Sequence, residues 1–298
     1  MRGFANSLVA VVAACSSVAA LCGCIPDDTS ARRGGVVVHA KAGVTTMRGA
    51  LLSDDGYRVD IDHVFVHIGY ARLSEEEPTS KRGGCDLVAD GTILFDLRAG
   101  VVDLVGRRAS EGVTCRIGIE HYGYPFVTFG PGISRSLLDE LVKDSIANGS
   151  LSSSIPNLRI EGSAYAPDGT SKKIRVQFVV SLGESTQFPG GLEQLPWIDS
   201  VTVAIPGDNA AHASFDYVIE HLFMATLGQP GPTHVAPWFL ADSRGDNDGI
   251  ITASDLDKLA LREIPEADRV GATFPHAETV SLLSYLTVQA QYAWRVVR

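Results

Sequence analysis

The chain has 298 residues, 45% of them hydrophobic and 20% charged, which is enough apolar material for a buried core and unlike the composition of a disordered chain. Its formal net charge of -10 excludes nucleic acid as an expected partner, because a phosphate polyanion would be repelled on average.

Residues 1–24 set the expected compartment. Arg2 gives a minimal basic start, Leu8 to Leu21 is almost wholly small and apolar, and Leu21-Cys22-Gly23-Cys24 follows. This reads as a signal peptide, too short and too abruptly ended for a membrane span of about 20 apolar residues. The Leu-Cys-Gly-Cys run resembles the lipobox of bacterial lipoproteins, with Cys24 as the lipidated residue. An ordinary cleaved secretory signal is the alternative, and either one exports the chain. Residues 25–35 are rich in Pro, Asp, Ser, Thr and Arg and read as a tether. With Cys15 and Cys22 in the signal and Cys24 lipidated, Cys85 and Cys115 remain. In an oxidising compartment these two are expected to pair, closing a loop of about 30 residues for roughly 3 kcal/mol.

Residues 36–40 and 44–52 are short β-prone runs, and Ser53-Asp54-Asp55-Gly56 is a turn. Residues 57–73 form a long extended run. Val59, Ile61, His63, Phe65 and His67 share one face and Asp60, Asp62, Val64, Val66 and Ile68 the other, so its middle is expected to be covered on both sides. Further strands are predicted over 85–89, 92–97 and 113–121. Residues 134–146 break the pattern: Leu137, Leu138, Leu141, Val142 and Ile146 make one helical stripe, with a Ser cap before it and Asn148-Gly149 after it. The runs 158–166 and 172–182 flank Pro167-Asp168-Gly169 as a hairpin, and 200–205 and 212–218 add two strands. Helices are predicted over 219–227, 254–262 and 277–297. The expected fold is mainly β: an immunoglobulin- or transthyretin-like β-sandwich over 36–218 with one inserted helix, and a helical cap over 219–298 carrying an EF-hand-like loop.

That loop is the sharpest chemical signal. Counted from Gly249 as the turning sixth position, Asp246 and Asp248 fall at positions 3 and 5, the Ile250 carbonyl at 7, Thr252 at 9 and Asp255 at 12. Such clustered oxygens suit Ca2+ in a structural role. Arg244 stands where a first carboxylate is needed, and Asp242 supplies one if the loop runs two residues long. The plain alternative is a solvated Asp/Gly turn with Asp255 capping the next helix.

Eight histidines make a copper or zinc site conceivable. His63 and His67 share a strand face, but at about 3.3 Å per residue they lie too far apart to hold one ion without partners such as His121 or His221. There is no GxSxG, HExxH, P-loop or strand-borne GxGxxG. Ser134 and Ser136 beside Gly130-Pro131-Gly132 are explained by helix capping.

Four stretches together carry a family resemblance: Ile219-Glu220-His221-Leu222-Phe223, Phe239-Leu240-Ala241-Asp242 leading into Asp246-Asn247-Asp248-Gly249-Ile250-Ile251-Thr252, Ser281-Leu282-Leu283-Ser284-Tyr285-Leu286, and the Pro167-Asp168-Gly169 hairpin with Phe178. They resemble an uncharacterised group of secreted lipoproteins of myxobacteria and their relatives, which implies a fold and a location more than an activity. The layout is also loosely similar to methanobactin-associated periplasmic copper-binding proteins, whose cysteine pattern is absent here. The expected protein is exported, anchored to the membrane by lipid at the bacterial outer membrane, cell surface or periplasm, and non-catalytic. It binds an envelope protein or small ligand and holds a structural calcium ion. A periplasmic transition-metal protein using histidines and a hydrolase without a recognisable motif are the alternatives.

Overall fold

One 18-residue strand, β3 (Arg58–Glu75), organises most of the sheet structure. The structure, a computed structural model, describes residues 33–75, 87–88, 92–110, 114–121, 128–147, 157–178, 203–204, 211–227, 230–270 and 279–297. On one side, β3 pairs antiparallel with β9 (Leu158–Tyr165) and then β7 (Thr114–His121). On the other it pairs with β2 (Ala50–Leu52), β5 (Ile93–Asp96) and β4 (Leu87–Val88) in succession. A strand this long exceeds any single partner, so shorter strands line up end to end along it. The sheet continues from β9 to β10 (Ser171–Phe178), the hairpin expected around Pro167-Asp168-Gly169, and on to β13 (Ile250–Thr252). Strands β11 (Val203–Ala204) and β8 (Thr128–Phe129) extend its other margins.

A second sheet runs β14 (Trp294–Val297), β12 (Ala211–Tyr217), β1 (Arg33–Ala42), β6 (Val102–Ser110), with β1 and β12 parallel. Buried residues of both sheets, including Val38, Leu104 and Phe215 from one and Val64, Ile160 and Val176 from the other, belong to one apolar cluster. Trp238, Leu256 and Tyr285 from the C-terminal helices join it. The long strand is indeed buried on both faces: Val64 and Val66 enter this cluster, while Phe65 packs with Leu94 under Leu138 and Leu141 of α2 (Arg135–Ala147). Ser134 Oγ accepts the Leu137 N–H at 3.2 Å and so caps α2. The chain is thus mainly β, with few helices. Among the described residues, no helix is long and apolar enough to cross a membrane.

Three element assignments differ from expectation. Residues 44–52 were expected as strand, but 44–48 form α1 (Val44–Arg48). Gly49 closes α1 in the left-handed region at φ 69°, and Thr46 Oγ1 donates to the Tyr217 carbonyl at 2.8 Å, a tertiary bond that overrides β propensity. Residues 277–297 do not form one helix. α5 (Leu282–Gln291) ends at Tyr292, and the β-branched end of the chain adds to the edge of β12 as β14. Residues 219–227 hold only a 3-10 turn, Ile219–Phe223. Strand β6 has no counterpart among the expected elements, and β1 begins at Arg33, inside the expected tether. The signal peptide, Cys24 and Cys85 lie outside the described residues, and of Cys115 only the backbone pairing with Glu75 and Val203 is described.

Gly162 shows how tightly β9 meets β3. A Cβ there would sit 2.2 Å from the Asp60 carbonyl oxygen and 3.1 Å from the Ile61 Cα, both backbone atoms beside the register shift between Ile61 and His63. Gly162→Ala is expected to lower stability by about 1–3 kcal/mol through overpacking, read as a fall in the urea midpoint at unchanged slope.

Candidate metal centre

Two elements bracket the acidic loop. α3 (Ala236–Arg244) buries Trp238, Phe239 and Ala241, and its last turn carries Asp242, Ser243 and Arg244. After the loop, β13 places Ile251 in the core and pairs parallel with Lys173–Arg175 of β10. α4 (Ala253–Lys258) then leaves with Leu256 buried. The segment is thus pinned at both ends by apolar side chains, and its polar residues turn back between them.

Asp242 is fully buried, whereas Arg244 is exposed in the last turn of α3, where a cation suits the helix C-terminus. The Asp242 carbonyl accepts the Asn247 N–H at 2.9 Å, and its Oδ1 accepts the Gly249 N–H at 3.3 Å. Asn247 (φ 55°) and Gly249 (φ 83°) both take the left-handed backbone that folds the loop inward. Asp246 Oδ1 accepts from Asp248 N at 3.3 Å, and Asp248 Oδ1 from Ile250 N at 2.8 Å. The result is that one carboxylate oxygen from each of Asp242, Asp246 and Asp248 lies within 4.8 Å of the others. Asp242 therefore reaches the cluster across the extra residues Ser243 and Arg244.

Thr252 and Asp255 form a capping box at the start of α4. Asp255 Oδ2 accepts from Thr252 N at 3.0 Å and from Thr252 Oγ1 at 2.6 Å, and Thr252 Oγ1 accepts from Asp255 N at 3.4 Å. The other oxygen, Asp255 Oδ1, is buried with no hydrogen-bond partner among the described residues. It points at Gly245 within the loop, where a Cβ would stand only 2.0 Å away. Only a glycine at 245 leaves room for that oxygen.

Lys172, which sequence reasoning did not single out, completes the arrangement. Its Nζ donates to Asp242 Oδ2, to the Phe239 carbonyl at 3.2 Å and to Ser243 Oγ at 3.2 Å, so all three ammonium protons have acceptors. It also lies 5.4 Å from the Phe239 ring centroid. This is a buried ion pair between the β9–β10 hairpin and α3. It leaves Asp246 and Asp248 exposed, with no basic partner among the described residues.

Among the described residues, no group of three ligating side chains includes His63 or His67. His63 Nδ1 pairs with Asp96 Oδ2 at 2.7 Å. His39 Nδ1 meets Asp103 at 2.6 Å and its Nε2 meets His212 Nδ1 at 3.0 Å. His221 is buried against Arg295, and the His121 side chain and His276 lie outside the described residues. Comparison with protein-family models, with curated proteins and with solved structures found no match to this chain.

Proposed function

We propose that this chain is an exported, lipid-anchored cell-envelope protein that binds or assembles rather than catalyses, and that a structural calcium ion braces its C-terminal half. The carrying observation is the convergence of Asp242, Asp246 and Asp248 to within 4.8 Å. Ca2+ sits 2.3–2.6 Å from its oxygens, so two ligands on opposite sides of one ion stand roughly 5 Å apart, and the observed spacing fits inside that limit. The Ile250 carbonyl, Thr252 or a water on it, and Asp255 supply the remaining ligands of an EF-hand-like loop. Its two-residue insertion makes Asp242 the first ligand and turns Arg244 out of the site. In this reading the two sheets pack as a β-sandwich, Cys24 carries the lipid, and Cys85 pairs with Cys115. The location rests on the apolar leader and on the resemblance to secreted lipoproteins.

The ion's role follows from its position. A single loop tied to β10 by parallel pairing fixes α3 against α4 and the sheet, which suits bracing better than sensing. Calcium at a hundredfold excess over its dissociation constant would add about 2.7 kcal/mol to stability. We expect millimolar Ca2+ to raise the melting temperature of the wild type and leave Asp248→Ala unmoved. An equal response of the two proteins would remove the loop from the account.

A further inference from the structure

A second group of ligating side chains lies at the other end of α3, whose first residue is separated from Asp242 by about 9 Å of helix rise. The turn 53–56 reaches the start of α3, where Asp55 Oδ2 accepts the N–H groups of Val235 at 2.7 Å and Ala236 at 2.8 Å. Ser53 Oγ donates to Asp55 Oδ1, so the carboxylate is held from both sides. Beside it, the Thr233 N–H and hydroxyl donate to Asp54 Oδ2 at 2.7 and 3.0 Å, and His234 N donates to the Phe223 carbonyl at 2.7 Å. These bonds fix the backbone that carries His234. Asp268 arrives from the 3-10 turn Glu266–Asp268. One ligand atom from each of Asp55, His234 and Asp268 lies within 4.8 Å of the others, and all three residues are half-buried.

Two features point to a cation in this space. His234 Nδ1 is shielded from solvent and has no hydrogen-bond partner among the described residues. Two carboxylates, Asp55 and Asp268, also converge beside it, which makes the local field negative. We infer that Asp55, His234 and Asp268 form a site for a first-row divalent transition-metal ion of the Zn2+ or Mn2+ class. The imidazole selects against Ca2+ and Mg2+, which take oxygen ligands. The backbone N–H bonds to Asp55 orient it as outer-shell partners orient a metal ligand. Three protein ligands leave at least one coordination position open to solvent or to an incoming group. This site shares no residue with the calcium loop, so each stands or falls alone.

The test uses the full chain, stripped with chelator, saturated with Ca2+ and titrated with Zn2+ by calorimetry, with Co2+ visible absorption as a second readout. We expect one Zn2+ per chain, displacing Co2+. His234→Gln and Asp268→Asn should each weaken binding by at least about tenfold and abolish the Co2+ spectrum, while Asp248→Ala leaves both unchanged. Both variants avoid Asp55, whose capping bonds serve the fold, and their circular dichroism should match the wild type. Absence of Zn2+ binding in the wild type, or an isotherm unchanged in His234→Gln, overturns the proposal. The latter would assign the ion to other histidines, such as the His39 and His212 pair.

Discussion

Replacing Lys172 with Met should cost about 3–5 kcal/mol of stability in chelator and much less in saturating Ca2+. Asp242 is wholly buried and Lys172 only 9% exposed at the side chain, so their pairing is shielded from water and salt. Removing the ammonium leaves a buried carboxylate whose described support is the single N–H of Gly249 at 3.3 Å. It also strips donors from the Phe239 carbonyl and Ser243 Oγ at the end of α3. A calcium ion among Asp242, Asp246 and Asp248 would neutralise the same carboxylate. Loss of the neighbouring positive charge should moreover tighten calcium binding in Lys172→Met. Paired denaturant melts with and without Ca2+ check this, and a variant equally unstable in both would contradict a shared role for Asp242. The double variant Lys172→Met with Asp242→Leu should be less damaged than Lys172→Met alone, because it removes both charges.

The second large effect concerns acid. His221 is buried, and Arg295 donates to its Nε2, since a guanidinium can only donate. The neutral ring must therefore carry its proton on Nδ1, which is buried without a partner among the described residues. Burial first, and the Arg295 charge second, lower its pKa from 6.5 to about 4. In the unfolded chain the ring protonates near 6.5, so between about 6.5 and 4 the unfolded state binds more protons and stability rises with pH. This contribution is fully present above pH 6.5 and is lost as pH falls toward 4, amounting to at most about 3 kcal/mol. His221→Gln, which can still accept from Arg295, should remove that slope. Unfolding free energies of the two proteins from pH 7 to 4.5 measure it, and parallel curves would refute the assignment.

Much of the fold was legible because it depends on local pattern. Alternation over 57–73 pointed to β3 and to its two covered faces, Pro167-Asp168-Gly169 to the β9–β10 hairpin, and the leucine stripe to α2. What escaped depends on partners distant in sequence. α1 reads as β-prone and becomes helix through Thr46 and its bond to Tyr217. β14 reads as helix because Val288, Ala290 and Trp294 continue an apolar period, yet the open edge of β12 claims the chain end. At the loop, residue types named Asp246, Asp248, Ile250, Thr252 and Asp255, and spacing alone left Asp242 against Arg244 undecided. Burial separates them: Asp242 is inside and Arg244 outside. Lys172 had no signal, since a lysine on a polar hairpin strand looks like any solvated residue until α3 packs over it. The same holds for Asp55 and His234, brought together across the chain by the capping of α3.

Calcium in the loop from Asp242 to Asp255 is the central proposal. Metal analysis of the purified full chain after mild dialysis tests it most directly. Close to one equivalent of calcium per chain is expected in the wild type, with its loss in Asp248→Ala. A wild-type chain without calcium, or an Asp248→Ala chain that retains it, would rule out a calcium site in this loop.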